Sequence, residues 1–158
     1  MHSKINPKSL FICIAIPLAV GGLSALFTVG SMADFNALRQ PPLSPPGWLF
    51  PAVWTVLYIM MGIASYIVLE ARCTKERKKR AFLSYFIQLF FNFFWSIIFF
   101  NFGAYELAFI WLLALLALII ASAVRFYRVD MSAGLLLLPY ILWVLFAGYL
   151  NLAIAYLN

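Results

Sequence analysis

Five long apolar segments divided by short polar breaks leave this chain few ways to fold. They run from about Leu10 to Val29, Trp48 to Leu69, Ala81 to Phe100, Ala104 to Phe126 and Ala133 to Tyr156. A helix needs about 20 residues to cross the hydrocarbon of a bilayer, where each backbone polar group must find its partner inside the segment. The five segments have that length, and what is left over suffices for loops but not for an extramembrane domain. Composition points the same way. Of 158 residues 66% are hydrophobic and only 10% charged, whereas a soluble domain carries about 25% charged residues. The expected fold is an all-α membrane protein, a five-transmembrane-helix bundle forming a single domain over residues 1–158. A soluble domain, a disordered chain and a nucleic-acid binder are excluded.

The charges predict an orientation. Six of the eleven bases fall in one run, Arg72, Lys75, Arg77, Lys78, Lys79 and Arg80, read as a loop between the second and third spans. With Lys4, Lys8, Arg125 and Arg128, ten of the eleven lie on one side of a five-span bundle, and only Arg39 on the other. Basic residues favour the cytoplasmic side, so the N-terminus is expected in the cytoplasm and the C-terminus outside. The first segment is too long for a secretory signal and lacks a cleavage site, so it reads as a retained span. The short tails and the lack of an added targeting segment point to a bacterial inner membrane. Cys13 and Cys73 should lie at different depths, both free, with no metal-binding spacing around them. Pro17, Gly21 and Ala25 form a small-residue stripe suited to close helix contact, within the chain or between two copies.

Between the first two spans, residues 31–47 carry Pro41, Pro42, Pro45 and Pro46. Proline removes a donor and biases its predecessor towards extended geometry, which predicts a stiff, partly extended loop. Pro51 falls in the first turn of the second span, where proline is tolerated. Asn101, Phe102 and Gly103 read as a tight turn. Pro139 is expected to kink the fifth span or expose a carbonyl.

The chemistry on offer is narrow. The five carboxylates, Asp34, Glu70, Glu76, Glu106 and Asp130, fall in loops or at span ends, and the one histidine is His2. A proton-coupled carrier usually has a carboxylate inside the membrane, and the spans offer no histidine to ligate haem iron or zinc or to form a Ser–His pair for hydrolysis. What is left is amide and aromatic. Gln88, Asn92 and Trp95 share one face of the third span; Trp54 and Tyr58 are four apart in the second; Trp143, Ala147 and Asn151 are spaced by four in the fifth. Amides at this depth are costly to leave unpaired and should face the bundle interior, either as glue between helices or as donors to a ligand. Trp48 and Trp111 fit interfacial anchors. Trp54, Trp95 and Trp143 are deeper and could line a flat pocket for a planar aromatic ligand.

Three motifs carry a family resemblance. The run Pro45-Pro46-Gly47-Trp48-Leu49-Phe50-Pro51-Ala52-Val53-Trp54-Thr55-Val56-Leu57-Tyr58, on to Met61-Gly62, resembles the signature of the translocator protein family, the tryptophan-rich sensory proteins related to the peripheral benzodiazepine receptor. Gln88 to Trp95 with Phe99-Phe100 is similar to its third-helix pattern. Leu138 to Trp143, with Phe146-Ala147 and Leu150-Asn151, is similar to its fifth. The resemblance implies a five-helix bundle, commonly a homodimer, that binds porphyrin-type tetrapyrroles such as protoporphyrin IX or haem, and isoquinoline- or benzodiazepine-type ligands, with no required cofactor. It implies a pocket built from Trp54, Tyr58, Gln88, Asn92, Trp95, Trp143, Phe146, Ala147 and Asn151, under a lid of Pro41, Pro42, Leu43, Pro45 and Pro46. The expected role is a membrane receptor or carrier, possible alternatives being a light- and oxygen-dependent porphyrin-degrading enzyme or a facilitative tetrapyrrole transporter. The chain departs from the family where a Trp-Tyr pair is replaced by Asp34-Phe35 and a Trp by Leu43. Its Tyr156 is followed only by Leu157 and Asn158, so the sterol motif of animal members is missing.

Overall fold

The computed structural model describes residues 5–158; His2 and Lys4 lie outside the described residues. Those residues are helices and connections, without a strand among them. Five helical stretches are long and apolar enough to cross a membrane: Pro7–Ser31, Leu49–Glu70, Lys75–Asn101, Tyr105–Val129 and Met131–Leu157. The helices are α1 (Pro7–Thr28), α2 (Met32–Ala37), α3 (Leu49–Glu70), α4 (Lys75–Ser96), α5 (Tyr105–Val129), α6 (Met131–Leu135) and α7 (Leu138–Leu157). One end of the bundle carries the basic run and the other carries the proline-rich segment. They are called here the basic end and the lid end.

Local chemistry moves several boundaries away from those expected. α1 starts three residues early because Asn6 caps it, its Oδ1 accepting from the Ser9 amide at 3.3 Å, with Pro7 in the first helical position. Of the basic run, Arg72 lies in the connection as expected, and the other five bases do not. Thr74 caps α4 by accepting from the Arg77 amide, Glu76 occupies the favoured first turn, and Arg80 pairs with Glu76 at 3.1 Å one turn on. Lys75 to Arg80 therefore extend α4 beyond its apolar part, and Lys78 Nζ donates to the Leu69 carbonyl at the end of α3.

The lid is also less extended than expected. Its first part folds as α2, and the chain becomes extended only from Leu38 on. The cause is the placement of the prolines, all of which follow Arg39. Pro41 to Ser44 form a turn closed by the Ser44 amide on the Pro41 carbonyl at 3.2 Å. Leu43 sits in it at φ 69°, a left-handed conformation that a leucine seldom adopts.

Two interruptions shape the later helices. After Ser96 the chain widens into a π turn, Ile97–Asn101, closed by the Phe102 amide on the Ile97 carbonyl at 3.2 Å. Gly103 then reverses the chain at φ 58°. In the last span the helix stops at Leu135 and restarts at Leu138, with Pro139 in the new first turn. Pro139 has no amide to offer the Leu135 carbonyl, so the chain tightens, with the Leu137 amide on the Gly134 carbonyl at 3.1 Å. Asp130 caps α6 by accepting from the Ser132 amide at 2.8 Å.

Towards the basic end the core includes Tyr85, Phe126 and Ile119, all fully buried. Close packing there depends on glycine. A Cβ on Gly62 would lie 2.5 Å from the Ile14 Cα, and one on Gly134 would lie 2.4 to 2.8 Å from Tyr127. Opposite Gly62 stands the Cys13 carbonyl, whose ordinary intrahelical donor is missing because residue 17 is proline. The stripe of Pro17 and Gly21 faces inward: Pro17 is buried, and a Cβ on Gly21 would strike the Tyr58 ring. Cys13 is buried and Cys73 partly so, both unbonded.

Candidate functional site

A cavity of about 500 Å³ opens among α1, α3, α4 and α7, roofed by residues of the lid. Its walls are mostly apolar and aromatic. α3 contributes Phe50, Trp54 and Tyr58. α4 and the π turn contribute Trp95, Phe99 and Phe100, and α7 contributes Ala147, Leu150, Asn151 and Ile154. Trp54 is the hub. Its ring stacks on Tyr58 at 5.6 Å, stands 6.3 Å from Trp95, and meets Tyr140 edge-on at 6.0 Å. Volume and lining suit a small-molecule site, which is commonly apolar with a few placed polar groups.

Of the expected pocket residues, Trp54, Tyr58, Trp95, Ala147 and Asn151 meet at this cavity. Asn151 holds two of its walls together. Its Oδ1 accepts from Trp95 Nε1 at 3.2 Å, and its Nδ2 donates to the Tyr105 carbonyl at 2.7 Å. The Trp54 indole N–H has no protein partner among the described residues.

Gln88 and Asn92 occupy a different place from the one expected. They are buried below the cavity in a hydrogen-bonded network with two tyrosines. Tyr58 donates to Asn92 Oδ1 at 2.6 Å, Asn92 Nδ2 donates to the Tyr140 hydroxyl at 2.8 Å, and that hydroxyl donates to Gln88 Oε1 at 2.9 Å. Gln88 Nε2 approaches Met61 Sδ at 3.8 Å. Of the two readings of these amides, the contacts are those of glue between α3, α4 and α7. They reach the cavity only through Tyr58, which both lines it and begins the network.

Trp143 and Phe146 stand elsewhere as well. They line a separate apolar cleft between α3 and α7, with Val53, Val56, Met60 and Pro139. Phe50 divides the two spaces: it lines the main cavity while its ring meets Trp143 at 5.9 Å. The Trp143 indole N–H is buried and unbonded. The expected single pocket with three tryptophans is thus corrected to two tryptophans, with the third behind a phenylalanine from another helix. Trp111 stacks on Phe91 at 4.4 Å and donates to that residue's carbonyl at 2.8 Å. Trp48 is exposed at the lid end of α3.

The lid is fastened at several points. The Arg39 amide donates to Asn158 Oδ1 at 2.9 Å, and Asn158 Nδ2 donates back to the Arg39 carbonyl at 3.3 Å. Tyr149 donates to the Pro42 carbonyl at 2.8 Å. Phe35 packs against Phe99 and Phe100 at 5.9 and 5.2 Å. Of the expected lid residues, Pro41 is buried, whereas Leu43 points outward and is 79% exposed.

The largest omission of the sequence reading is α1, which supplies Leu18, Gly21, Ser24, Ala25 and Thr28 to the cavity. The signal was present. Small or polar residues at 17, 21, 24 and 28 alternate steps of four and three, the period of one helix face. Tyr140 was also missed as the centre of the buried network, although it falls within a quoted motif.

Comparison with known proteins agrees with this architecture. The TspO/MBR family model matches residues 13–157. The chain is 38% identical to the tryptophan-rich protein TspO of Chlorobaculum tepidum over 156 residues, covering 95% of this chain and 96% of the relative. It is 37% identical to the TspO of Archaeoglobus fulgidus, with 98% and 99% covered. It is 31% identical to the translocator protein of Bos taurus, with 86% and 82% covered.

Proposed function

The chain belongs to the TspO/MBR family of integral multi-pass membrane proteins, and from that premise we propose that it is a membrane receptor or carrier for porphyrin-type tetrapyrroles, held in the cavity beneath the lid. The observation that carries this reading is the pairing of Trp54 and Trp95 at 6.3 Å over an apolar cavity of about 500 Å³. Planar aromatic ligands gain from offset stacking on such rings, and the hydrophobic area they bury supplies most of the affinity. The macrocycle lies against Trp54, which lines the cavity and whose indole N–H has no protein partner among the described residues. The ligand's carboxylates belong at the lid, where Gln40 and Ser44 face the cavity. Arg39, the one base at that end among the described residues, is on the same segment. Binding is by shape and stacking, with no histidine among the described residues to serve as an axial ligand. In this reading the basic end lies in the cytoplasm, as the positive-inside rule requires, and a reporter fused at Asn158 is active on the outside.

Titration of protoporphyrin IX into the purified protein, followed by tryptophan quenching, tests the proposal. Trp54→Ala should weaken binding by about tenfold or more, equivalent to about 1.4 kcal/mol. Trp143→Ala should cost clearly less, since Phe50 stands between it and the cavity. Equal affinity in the wild type and Trp54→Ala would refute this site. Illuminating the complex separates binding from turnover: a protein-dependent porphyrin product would move the reading to the degrading enzyme.

A further inference from the structure

We infer that the cavity is reached sideways from the bilayer, through a slot between α1 and α3 in the lid-end half, and not from beneath the lid. What passes through rests on the binding reading above; the slot itself does not.

The slot exists because α1 changes partners along its length. From the basic end up to Gly21 it is seamed to α3. The Asn6 amide donates to the Tyr66 hydroxyl at 2.9 Å, Gly62 meets the backbone of Cys13 and Ile14, and Gly21 meets the Tyr58 ring. Beyond Gly21 its bonds go to the other side. Ser24 Oγ donates to the Phe93 carbonyl at 3.3 Å, Phe27 packs on Phe93 at 6.0 Å, and Asn101 Nδ2 donates to the Phe27 carbonyl at 2.9 Å. The lid-end half of α1 is thus held by α4 and the π turn, and α3 is left behind.

Exposure follows that divergence. Gly22 and Ala25 of α1, with Pro51 and Thr55 of α3, line the cavity and are themselves exposed, whereas its α4 and α7 walls at Trp95 and Asn151 are buried. A Cβ on Gly22 would meet no heavy atom within 4 Å. The roof, by contrast, is tied down at Arg39, Pro42 and Phe35. Because the slot parts two membrane-crossing helices, it faces hydrocarbon. It therefore admits molecules already dissolved in the bilayer, flat amphiphiles whose polar end rides at lid level, and between such visits a lipid acyl chain.

The test uses the full chain in bilayers of lipids brominated along the acyl chains, which quench tryptophan on contact. Trp54 quenching, isolated by subtracting the Trp54→Phe variant, is expected in the wild type and is expected to fall in Gly22→Phe and in Ala25→Phe, which fill the slot from two positions. This arm needs no porphyrin. Relief of quenching in a protein that fails to bind protoporphyrin IX would keep the slot and remove the binding reading. Where porphyrin binds, Gly22→Phe should slow its association by about tenfold. Quenching of Trp54 that persists unchanged in both filled variants overturns the inference. So does exchange that Asn158→Ala accelerates while Gly22→Phe leaves it at the wild-type rate.

Discussion

The two halves of this bundle are built from nearly the same apolar residues and behave oppositely. Towards the basic end the helices touch backbone to backbone, through Gly62 against Ile14 and Gly134 against Tyr127. Towards the lid end they stand apart around a cavity. Hydrophobicity does not separate the halves, because lipid tails are as apolar as the side chains and give helices no reason to prefer one another. What separates them is where small residues allow contact and where large rings hold the walls apart. At the boundary lies the Tyr58–Asn92–Tyr140–Gln88 network. A chain of side-chain hydrogen bonds in a buried interior favours one arrangement of the helices it joins. It acts as the floor on which the open half stands.

That contrast can be broken by substitution. The largest effect is expected at Gly62→Leu, where even a Cβ would collide with the backbone of α1. A loss of about 3 kcal/mol or more is expected, measured as a shift in the detergent-unfolding midpoint. Gly22→Ala should instead be neutral or slightly stabilising, because a Cβ there meets open space and alanine favours the helix. Comparable losses at both glycines would mean that the halves are packed alike. Next in size is Asn92→Leu, which leaves the buried Tyr58 hydroxyl without its acceptor and removes one of the two partners of the Tyr140 hydroxyl. About 1 to 3 kcal/mol should be lost. Adding Tyr58→Phe to that variant should restore part of the loss, and a double-mutant cycle measures how much. The smallest effect is expected at Leu43→Gly. It relieves a left-handed leucine worth about 1 to 2 kcal/mol, partly offset by the entropy of glycine in the unfolded chain. The net gain should be below about 1 kcal/mol, seen as slower proteolysis of the lid.

The number of crossings was legible because each apolar run is long enough to span and has few other fates. Helix ends were less so. Asn6 and Thr74 gain their importance from cap geometry, and the latter carried six basic and acidic residues into a helix that hydropathy alone had stopped at Ala81. The proline count of the lid was correctly weighted but spread over too many residues, since nothing before Arg39 resists a helical turn. In the site, four-residue spacing found Trp54 with Tyr58, and Ala147 with Asn151, because those pairs share both a face and a neighbour. It misplaced Trp143 for a reason no spacing could reveal. A step of four residues drifts by about 40° round a helix, and the ring that closes the view, Phe50, comes from another segment altogether. Gln88 and Asn92 were found as inward amides, but their partners, two tyrosines on other helices, decide what they do.

The π turn at Ile97–Asn101 ends its helix with a turn one residue wider than an α turn. Two sequence neighbours on an α-helix point about 100° apart, yet Phe99 and Phe100 both reach the cavity wall. The extra residue widens the turn that carries them. A chain shortened by one position here would keep its helix, its length across the membrane and its hydropathy, and would turn one of those rings away. The wall of this cavity is thus sensitive to deletion at a place where composition would register no change.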